Sequence, residues 1–313
     1  MKTKHKMLME VFAEKAERLG YLVEVYPSDR RVYKISKGGK SVLTIGKHFP
    51  FNSIVDFEIV KRKDLTKRVL RDAGFPAPRG ILTGEWKEVS AAIKTGKINF
   101  PLVTKPDTSL GGKMAIVKIE NLEVLKKAFE KIRESYDEVL VEEFFPGEDF
   151  RFLVLDGKIL AVARRVPPAI IGDGKTKISE LVAKYNIGRG GDSLKLGFEV
   201  ERVLAEQNLT INDIPSKGKK ILMRRNANIH TGGVVEDVTN IVNPKFREMV
   251  LRAVKLFDLR FSGVDIICPD ITKANSPYCI IELNTDPGYD LHWMGSKGHQ
   301  YDATKDILKS LFS

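Results

Sequence analysis

The stretch Cys279–Trp293, "CIIELNTDPGYDLHW", begins as a buried strand and carries Glu282 and Asn284 inside it before breaking at "TDPG". Side chains alternate along a strand, so Glu282 and Asn284 share one face while Ile281 and Leu283 take the other. A carboxylate and a carboxamide two residues apart then aim their oxygens in one direction. Asp265 lies 17 residues upstream in a second strand-like run, "GVDIIC", and the turn residues of "CPDITKANSPY" fit neighbouring strands. The spacing predicts Asp265, Glu282 and Asn284 as one all-oxygen cluster. Such a cluster suits octahedral Mg²⁺, with Mn²⁺ as the alternative, because the ion takes few protein oxygens and completes its shell with phosphate. A polar strand edge with solvated acids is the plainer reading of the same three residues.

Other segments add to the pattern. "PLVTKP" ends a strand with Lys105, and "DTSLGGKMAIV" follows at once. Gly111 and Gly112 let backbone N–H groups approach phosphate without a Cβ in the way, and the lysine supplies charge. An ordinary hairpin turn would use the same glycines. The phosphate loop "GxxxxGK[ST]" is absent. "VLVEEFFPGEDFR" gathers Glu142, Glu143, Glu148 and Asp149 around Phe144 and Phe145, with Arg151 following. Such a run can hold a purine, its backbone reading the base edge and an acid accepting from ribose hydroxyls; it can equally be a charged turn. "RRNANIHTGG" places Arg224, Arg225, Asn226 and Asn228 before Gly232 and Gly233. Arginine forks suit phosphate or carboxylate, and a basic surface loop is the alternative.

The 313 residues suffice for two or three compact units, and 42% hydrophobic with 30% charged residues is a globular rather than a disordered composition. No apolar run approaches the ~20 residues of a membrane span. The opening "MKTKHKMLMEVFAEKAERLG" carries Glu10, Glu14 and Glu17 at helical spacing and lacks a cleavage site, so it reads as a surface helix and points to cytoplasmic residence. Cys268 and Cys279 lie in apolar runs, as buried free thiols do, and the five histidines show no ligand spacing. Net charge is +11, and residues 1–80 hold 18 Lys and Arg against 9 Asp and Glu. That excess attracts anions. Its spread over a helix and several strands, with no aromatic stacking pattern, argues against nucleic acid.

The expected fold class is α+β / α/β. A helix over 5–20 and the runs "YLVEVY", "RVYKIS" and "SVLTIG" suggest a small α/β unit over 1–60. A helix at "KDLTKRVLRDAG", strands at "FPLVTKP" and "MAIVKIE", a helix at "NLEVLKKAFEKIRE" and a strand at "EVLVEEFF" suggest an α+β subdomain over 61–144. Residues 145–313 form the remaining unit. It opens with a hairpin turning at Asp156-Gly157, continues through a long excursion over 166–220 with at least one helix and a mobile part, and closes with "PKFREMVLRAVKLFD" and two strands.

The order of these segments resembles the ATP-grasp carboxylate–amine ligases. It is most similar to the glutathione-synthetase domain of bifunctional bacterial glutathione enzymes, then to the ATP-grasp module of cyanophycin synthetases. The likeness runs over nearly the whole chain and includes "LTKRVLRDAGFPAP", "IIGDGKTKISELV" and "LMRRNANIHTGGVVEDVT". It implies two α+β subdomains clasping ATP, Mg²⁺, small amino-acid or peptide substrates, no membrane partner, and a homo-oligomer of the kind common among such ligases. By the resemblance Lys63 and Lys105 contact ATP phosphates, Gly111 and Gly112 close over them, and Glu142, Glu143 and Phe144 meet the adenine edge. Glu148 or Asp149 lies near the ribose; Asp265, Glu282 and Asn284 hold the metal. Arg225 and Asn228 hold the transferred phosphate, and Arg151 and Arg165 lie near phosphate or the acyl substrate. Arg62 stands where an asparagine often precedes the first lysine, and "TDPGYDLHWMG" differs from the related sequences, so substrate identity does not carry over. The implied reaction is ADP-forming peptide-bond synthesis through an acyl phosphate, glutathione-synthetase-like. The alternatives are a cyanophycin-synthetase-like or other amino-acid ligase, an ATP-grasp phosphotransferase, and a non-catalytic basic nucleic-acid-binding module.

Overall fold

The computed structural model describes residues 8–108, 114–189, 193–293 and 298–313. Helix α1 (Leu8–Arg18) buries Met9, Phe12 and Ala16, the apolar stripe of a one-sided helix. An antiparallel meander follows: β1 (Leu22–Val25), β2 (Val32–Lys37) and β3 (Lys40–Ile45). Its β2–β3 turn is Gly38-Gly39, both at positive φ (57° and 81°), as a two-residue hairpin turn requires. Two short helices come next, α2 (Ile54–Lys61), started by a Ser53–Asp56 capping box, and α3 (Lys63–Asp72).

The second sheet has the order β4-β7-β5-β6 and is antiparallel throughout. It is built from β4 (Gly80–Thr83), α4 (Trp86–Lys94), β5 (Leu102–Pro106), β6 (Ile116–Ile119), α5 (Leu122–Arg133) and β7 (Val139–Glu143). The sequence pattern misses β4 and α4. With only four residues, all but one half-buried, β4 shows no alternation, and its pairing with β7 is a long-range event.

The central sheet follows, in the order β12-β9-β8-β13-β14. Strands β8 (Glu148–Leu155) and β9 (Lys158–Val166) form the expected hairpin, with Asp156 and Gly157 both at positive φ (46° and 69°). The excursion consists of β10 (Ala169–Ile171), α6 (Ile178–Tyr185), α7 (Phe198–Ala205) and β11 (Lys220–Leu222). It has its own core of Ile170, Ile178, Val182, Val200, Leu204 and Ile221, so packing rather than looseness defines its described residues. The chain then completes β12 (Val234–Asp237), α8 (Pro244–Leu256), β13 (Phe261–Cys268), β14 (Cys279–Asn284) and α9 (Thr304–Leu311).

The two faces of the central sheet bury different partners. Phe150, Phe152, Val154, Val264 and Ile266 share a core with Phe246 and Val250 of α8 and with Val60, Leu70 and Phe75. Val60 of α2 and Leu70 of α3 thus pack against the central sheet, on either side of residue 61. On the opposite face Leu153, Leu155 and Phe261 meet Phe12, Phe49, Phe51, Tyr289 and Ile307. The amino-terminal unit thus covers one end of that face. The other end carries Asp149, Arg151 and Asp265, and β8 reads Asp149, Arg151, Leu153, Leu155 along one side, polar changing to apolar at midstrand.

Asn52 stitches the amino-terminal unit to this sheet. Its Nδ2 donates to the carbonyls of Phe261 (2.8 Å) and Thr285 (2.9 Å), and its Oδ1 accepts from the amides of Arg260 (2.9 Å) and Phe261 (3.2 Å). Asn52→Ala leaves these backbone groups unpaired at a half-buried seam and is expected to cost about 1–3 kcal/mol. Urea unfolding measures this; a variant as stable as the parent contradicts the seam's role.

Candidate active site

The polar end of the central sheet faces the four-stranded sheet across a cavity of about 1110 Å³. Asp265 and Glu282 lie directly opposite each other in the β13–β14 register, and Asn284 lies opposite Gly263. A β-bulge interrupts the pairing after Asp265, so two residues of β14 oppose one of β13 there. Leu283 and Ile280 enter the core, whereas Ile281 lines the cavity beside Glu282 and Asn284. Strict alternation places Ile281 on the core face; the bulge turns it to the cleft.

Asp265 is buried and doubly claimed. Arg151 grips it with both Nε and Nη2, the latter at 2.7 Å, and Arg165 Nη2 lies 3.0 Å from the same carboxylate. Arg165 also donates to Asp149 at 2.9 and 2.6 Å. Burial works against the charge on Asp265, yet the two guanidiniums hold its carboxyl below the usual range. Asp149 goes the other way: burial pushes it up, and the Asp265 charge adds to the rise against the pull of Arg165. Gly263 leaves room for this cluster, since a Cβ there would sit 3.0 Å from Arg151 Nη1 and 3.0 Å from Pro287 Cβ.

Glu282 is less committed, with Lys63 Nζ at 3.6 Å. Lys63 also donates to the Asp107 carbonyl at 3.1 Å. Among the described residues the Asn284 Nδ2 is buried without a hydrogen-bond partner. A half-turn of that carboxamide presents its oxygen instead. Among the described residues no three His, Cys, Asp or Glu side chains gather as a ready-made metal cage. The Glu282 carboxylate and the Asn284 carboxamide on one strand face, beside a second acid, Asp265, nevertheless fit a hard cation that shares its shell with phosphate oxygens.

Across the cavity, Glu142 is buried between two lysines. Lys105 Nζ lies 2.5 Å from Oε1, and Lys67 contacts Oε2. The resemblance puts Glu142 at the adenine edge. Glu142 lines the cavity, and its carboxylate pairs with these two lysines, as a buried charge must be paired. Burial opposes the Glu142 charge and the two lysines restore it, leaving its carboxyl below the ordinary value. One carboxylate cannot compensate two buried ammonium groups. Burial accordingly drives Lys67 from 10.5 down to about 7, with Lys105 adding to the fall, whereas the Lys105 ammonium is held above its ordinary value by Glu142 against its own burial. No motif in the sequence singles out Lys67, although its i, i+4 spacing from Lys63 puts both on one face of α3.

Glu143 and Phe144 also line the cavity; Glu143 accepts from Arg79 Nε (3.1 Å) and the Asn99 amide (3.2 Å), while the Phe144 amide donates to the Pro101 carbonyl. Glu148 pairs with Arg164 at 3.0 Å. Arg225 is engaged with Glu206 through Nε (3.0 Å) and Nη2 (2.5 Å). Its neighbour Arg224 lines the same cavity; its Nε is buried with no hydrogen-bond partner among the described residues, and its guanidinium is depressed by burial despite Glu199. Both arginines of the dipeptide therefore face the cavity, and they differ in that Arg225 is ion-paired with Glu206. Asn228 caps a short turn by accepting from the His230 amide at 2.9 Å, and it lines the cavity. Gly111 and Gly112 lie outside the described residues. Cys268 and Cys279 are buried free thiols, as read from the sequence. Among the described residues no helix is long and apolar enough to cross a membrane.

Two family models match the chain, "D-ala D-ala ligase C-terminus" over residues 70–217 and "RimK-like ATP-grasp domain" over 210–311. The chain belongs to the ATP-grasp ligases. It is 37% identical over 270 residues to the glutathione biosynthesis bifunctional protein GshAB of Streptococcus thermophilus, covering 80% of this chain and 35% of that one. It is 32% identical over 269 residues to cyanophycin synthetase of Trichormus variabilis, covering 83% and 30%. Among solved structures, a bifunctional glutathione synthetase from Pasteurella multocida superimposes with a TM-score of 0.67 at 28% identity, over 96% of this chain and 43% of that one. The chain spans about a third of the length of the curated relatives it matches.

The Lys67 assignment carries a pH signature. Its folded value lies below its unfolded one, so between about pH 7 and pH 10 the unfolded chain binds more protons and this group's contribution to stability rises with pH. In urea unfolding at pH 7, 8 and 9, wild type is expected to gain on Lys67→Met by up to about 1 kcal/mol per pH unit. A difference that does not change with pH contradicts the assignment.

Proposed function

We propose that the chain is an ATP-dependent, ADP-forming carboxylate–amine ligase acting on amino acids or a short, γ-glutamyl-like peptide. The observation that carries the reading is one cavity holding an apolar wall, a bank of cations and an oxygen pair in succession. Val103, Val117, Phe144 and Ile281 suit a purine ring; Lys63, Lys105 and Arg224 suit polyphosphate; Glu282, Asn284 and Asp265 suit Mg²⁺. Membership of the ATP-grasp ligases and the identities above support the same class.

The chemistry explains the need for such a site. A carboxylate does not acylate an amine in water, because its oxygen is a poor leaving group. Transfer of the γ-phosphoryl group to that oxygen gives an acyl phosphate. The amine nitrogen then attacks the carbonyl carbon, the C–O bond to phosphate breaks, and the amine's proton leaves as the amide forms. Phosphoryl transfer depends on positioning and charge compensation more than on covalent help from the protein. Mg²⁺, when held by Glu282, Asn284 and Asp265, supplies charge neutralisation on the phosphate oxygens. Lys105, fixed and kept charged by Glu142, meets the phosphates from the opposite wall, and Lys63, 3.6 Å from Glu282, meets them beside the metal residues. Arg224 and Asn228 face the transferred group, and Arg151 and Arg165 keep the floor of the cleft basic. The chemistry calls for no nucleophilic side chain.

The test is a phosphate-release screen with Mg-ATP over amino acids and γ-glutamyl dipeptides, with mass spectrometry of products. The reading expects release that depends on both a carboxylate and an amine, and a product joined by an amide. ADP formation with the acid alone, without phosphate release and with a stable phosphorylated product, would instead identify a phosphotransferase. Glu282→Gln is expected to lower turnover by at least about 100-fold. Its melting temperature should not change, because Glu282 is only half-buried. Turnover within a few-fold of wild type removes Glu282 from the site.

A further inference from the structure

At about 1110 Å³ the cavity exceeds the ~300–1,000 Å³ that usually hold one small ligand. The purine wall and the phosphate cations account for the part between the two sheets. Beyond Arg151 the cavity continues to an end walled by Lys47, Asp286, Gly288, Asp290 and Leu291. Lys47 comes from the amino-terminal unit, just after β3, and not from either large sheet.

Lys47 is held in place. Its Nζ donates to the Asp286 carbonyl at 2.7 Å, which uses one of three donors. The adjacent His48 Nδ1 lies 2.7 Å from the Asp286 carboxylate, and Asn52 binds the Thr285 carbonyl. Residues 47–52 therefore fix the "TDPGYD" turn that follows the Glu282–Asn284 strand. Asp290 shares the same end: it lies close enough to support the Lys47 charge, and its Oδ1 packs where a Cβ on Gly288 would fall, 2.9 Å away. The Lys47 ammonium also feels Arg151, which grips Asp265. Lys47 and Asp290 thus line the same cavity as Arg151, Asp265 and Glu282.

A lone cation there would attract any anion, including stray phosphate. A lysine flanked by two acids favours a ligand that offers a carboxylate and an N–H-bearing group together. We propose that Lys47 and Asp290 form the substrate subsite that binds a free amino acid by its charged ends, Lys47 taking the α-carboxylate and Asp290 facing the amino group. The amino-terminal unit is then part of the active site and sets specificity for an amine substrate with a free carboxylate. This rests on the ligase reading above and deepens it.

The experiment works whatever side chain the amino acid carries. Protein loaded with Mg-ADP is titrated by thermal shift with each of the twenty amino acids and with the corresponding amino-acid amides, which lack the negative charge. At least one free amino acid is expected to protect wild type, and its amide to need at least tenfold more. Lys47→Met should raise the half-saturating concentration of that amino acid at least tenfold and erase the preference over the amide. Lys47→Arg should retain the preference, and both variants should bind Mg-ADP as wild type does. If Lys47→Met does not fold, Lys47→Gln, which can still donate to the Asp286 carbonyl, carries the comparison. Equal protection by amides in wild type, undiminished discrimination in Lys47→Met, or no protection by any amino acid overturns the subsite. If Mg-ADP itself fails to bind, the ligase reading falls and takes the subsite with it, and the nucleotide titration tells the two failures apart.

Discussion

Three adjacent strands meet at one carboxylate. Arg151 of β8 and Arg165 of β9 both reach Asp265 of β13, and the β13–β14 register sets Glu282 beside it. Buried ion clusters of this kind add little stability over a hydrophobic filling, although removing one partner commonly costs about 3–5 kcal/mol. Their physical consequence here is a fixed charge pattern at the floor of the cleft. Everything else is arranged around that floor: the apolar half of the same sheet face under the amino-terminal unit, the lysines of the facing sheet, and the turn that follows Asn284.

The opposite wall obeys the same electrostatic rule with the signs reversed. Glu142 lies between Lys67 and Lys105; burial pushes the Lys67 ammonium down, while Glu142 holds the Lys105 ammonium up against its own burial. The outcome is a lysine aimed at the cavity, backed by a carboxylate that cannot turn away. Lys105 therefore stays cationic despite its burial, which a phosphate-binding group requires. The two walls have their charges set by buried partners and not by solvent, so the cleft's field persists at ionic strengths that would screen an exposed patch.

Much of this is legible in the sequence, and the omissions have causes. The Glu282-x-Asn284 spacing, the Asp156-Gly157 turn and the lysine that ends "PLVTKP" are local signals, and the strands and hairpin follow them. What the sequence hides depends on contacts between distant segments. The bulge that turns Ile281 into the cleft arises from pairing with β13; the packing of α3 on the central sheet joins residues some 200 positions apart. Arg224 and Arg225 are told apart by Glu206, which pairs with Arg225 from nineteen positions away. Lys67 reads as a surface lysine because only its depth, not its spacing, marks it as buried. Lys47 lies in a segment with no motif at all; the aromatic packing of Phe49 and Phe51 against Phe261 and Tyr289, with the bonds of His48 and Asn52, brings it to the cavity.

A crystal structure with Mn²⁺ and a non-hydrolysable ATP analogue, read by anomalous scattering, tests the central claim most directly. The account predicts manganese within about 2.2 Å of Glu282 and Asn284 oxygens, with the triphosphate lying between that ion and Lys63 and Lys105. Manganese bound without either side chain, or a nucleotide outside this cleft, would contradict it.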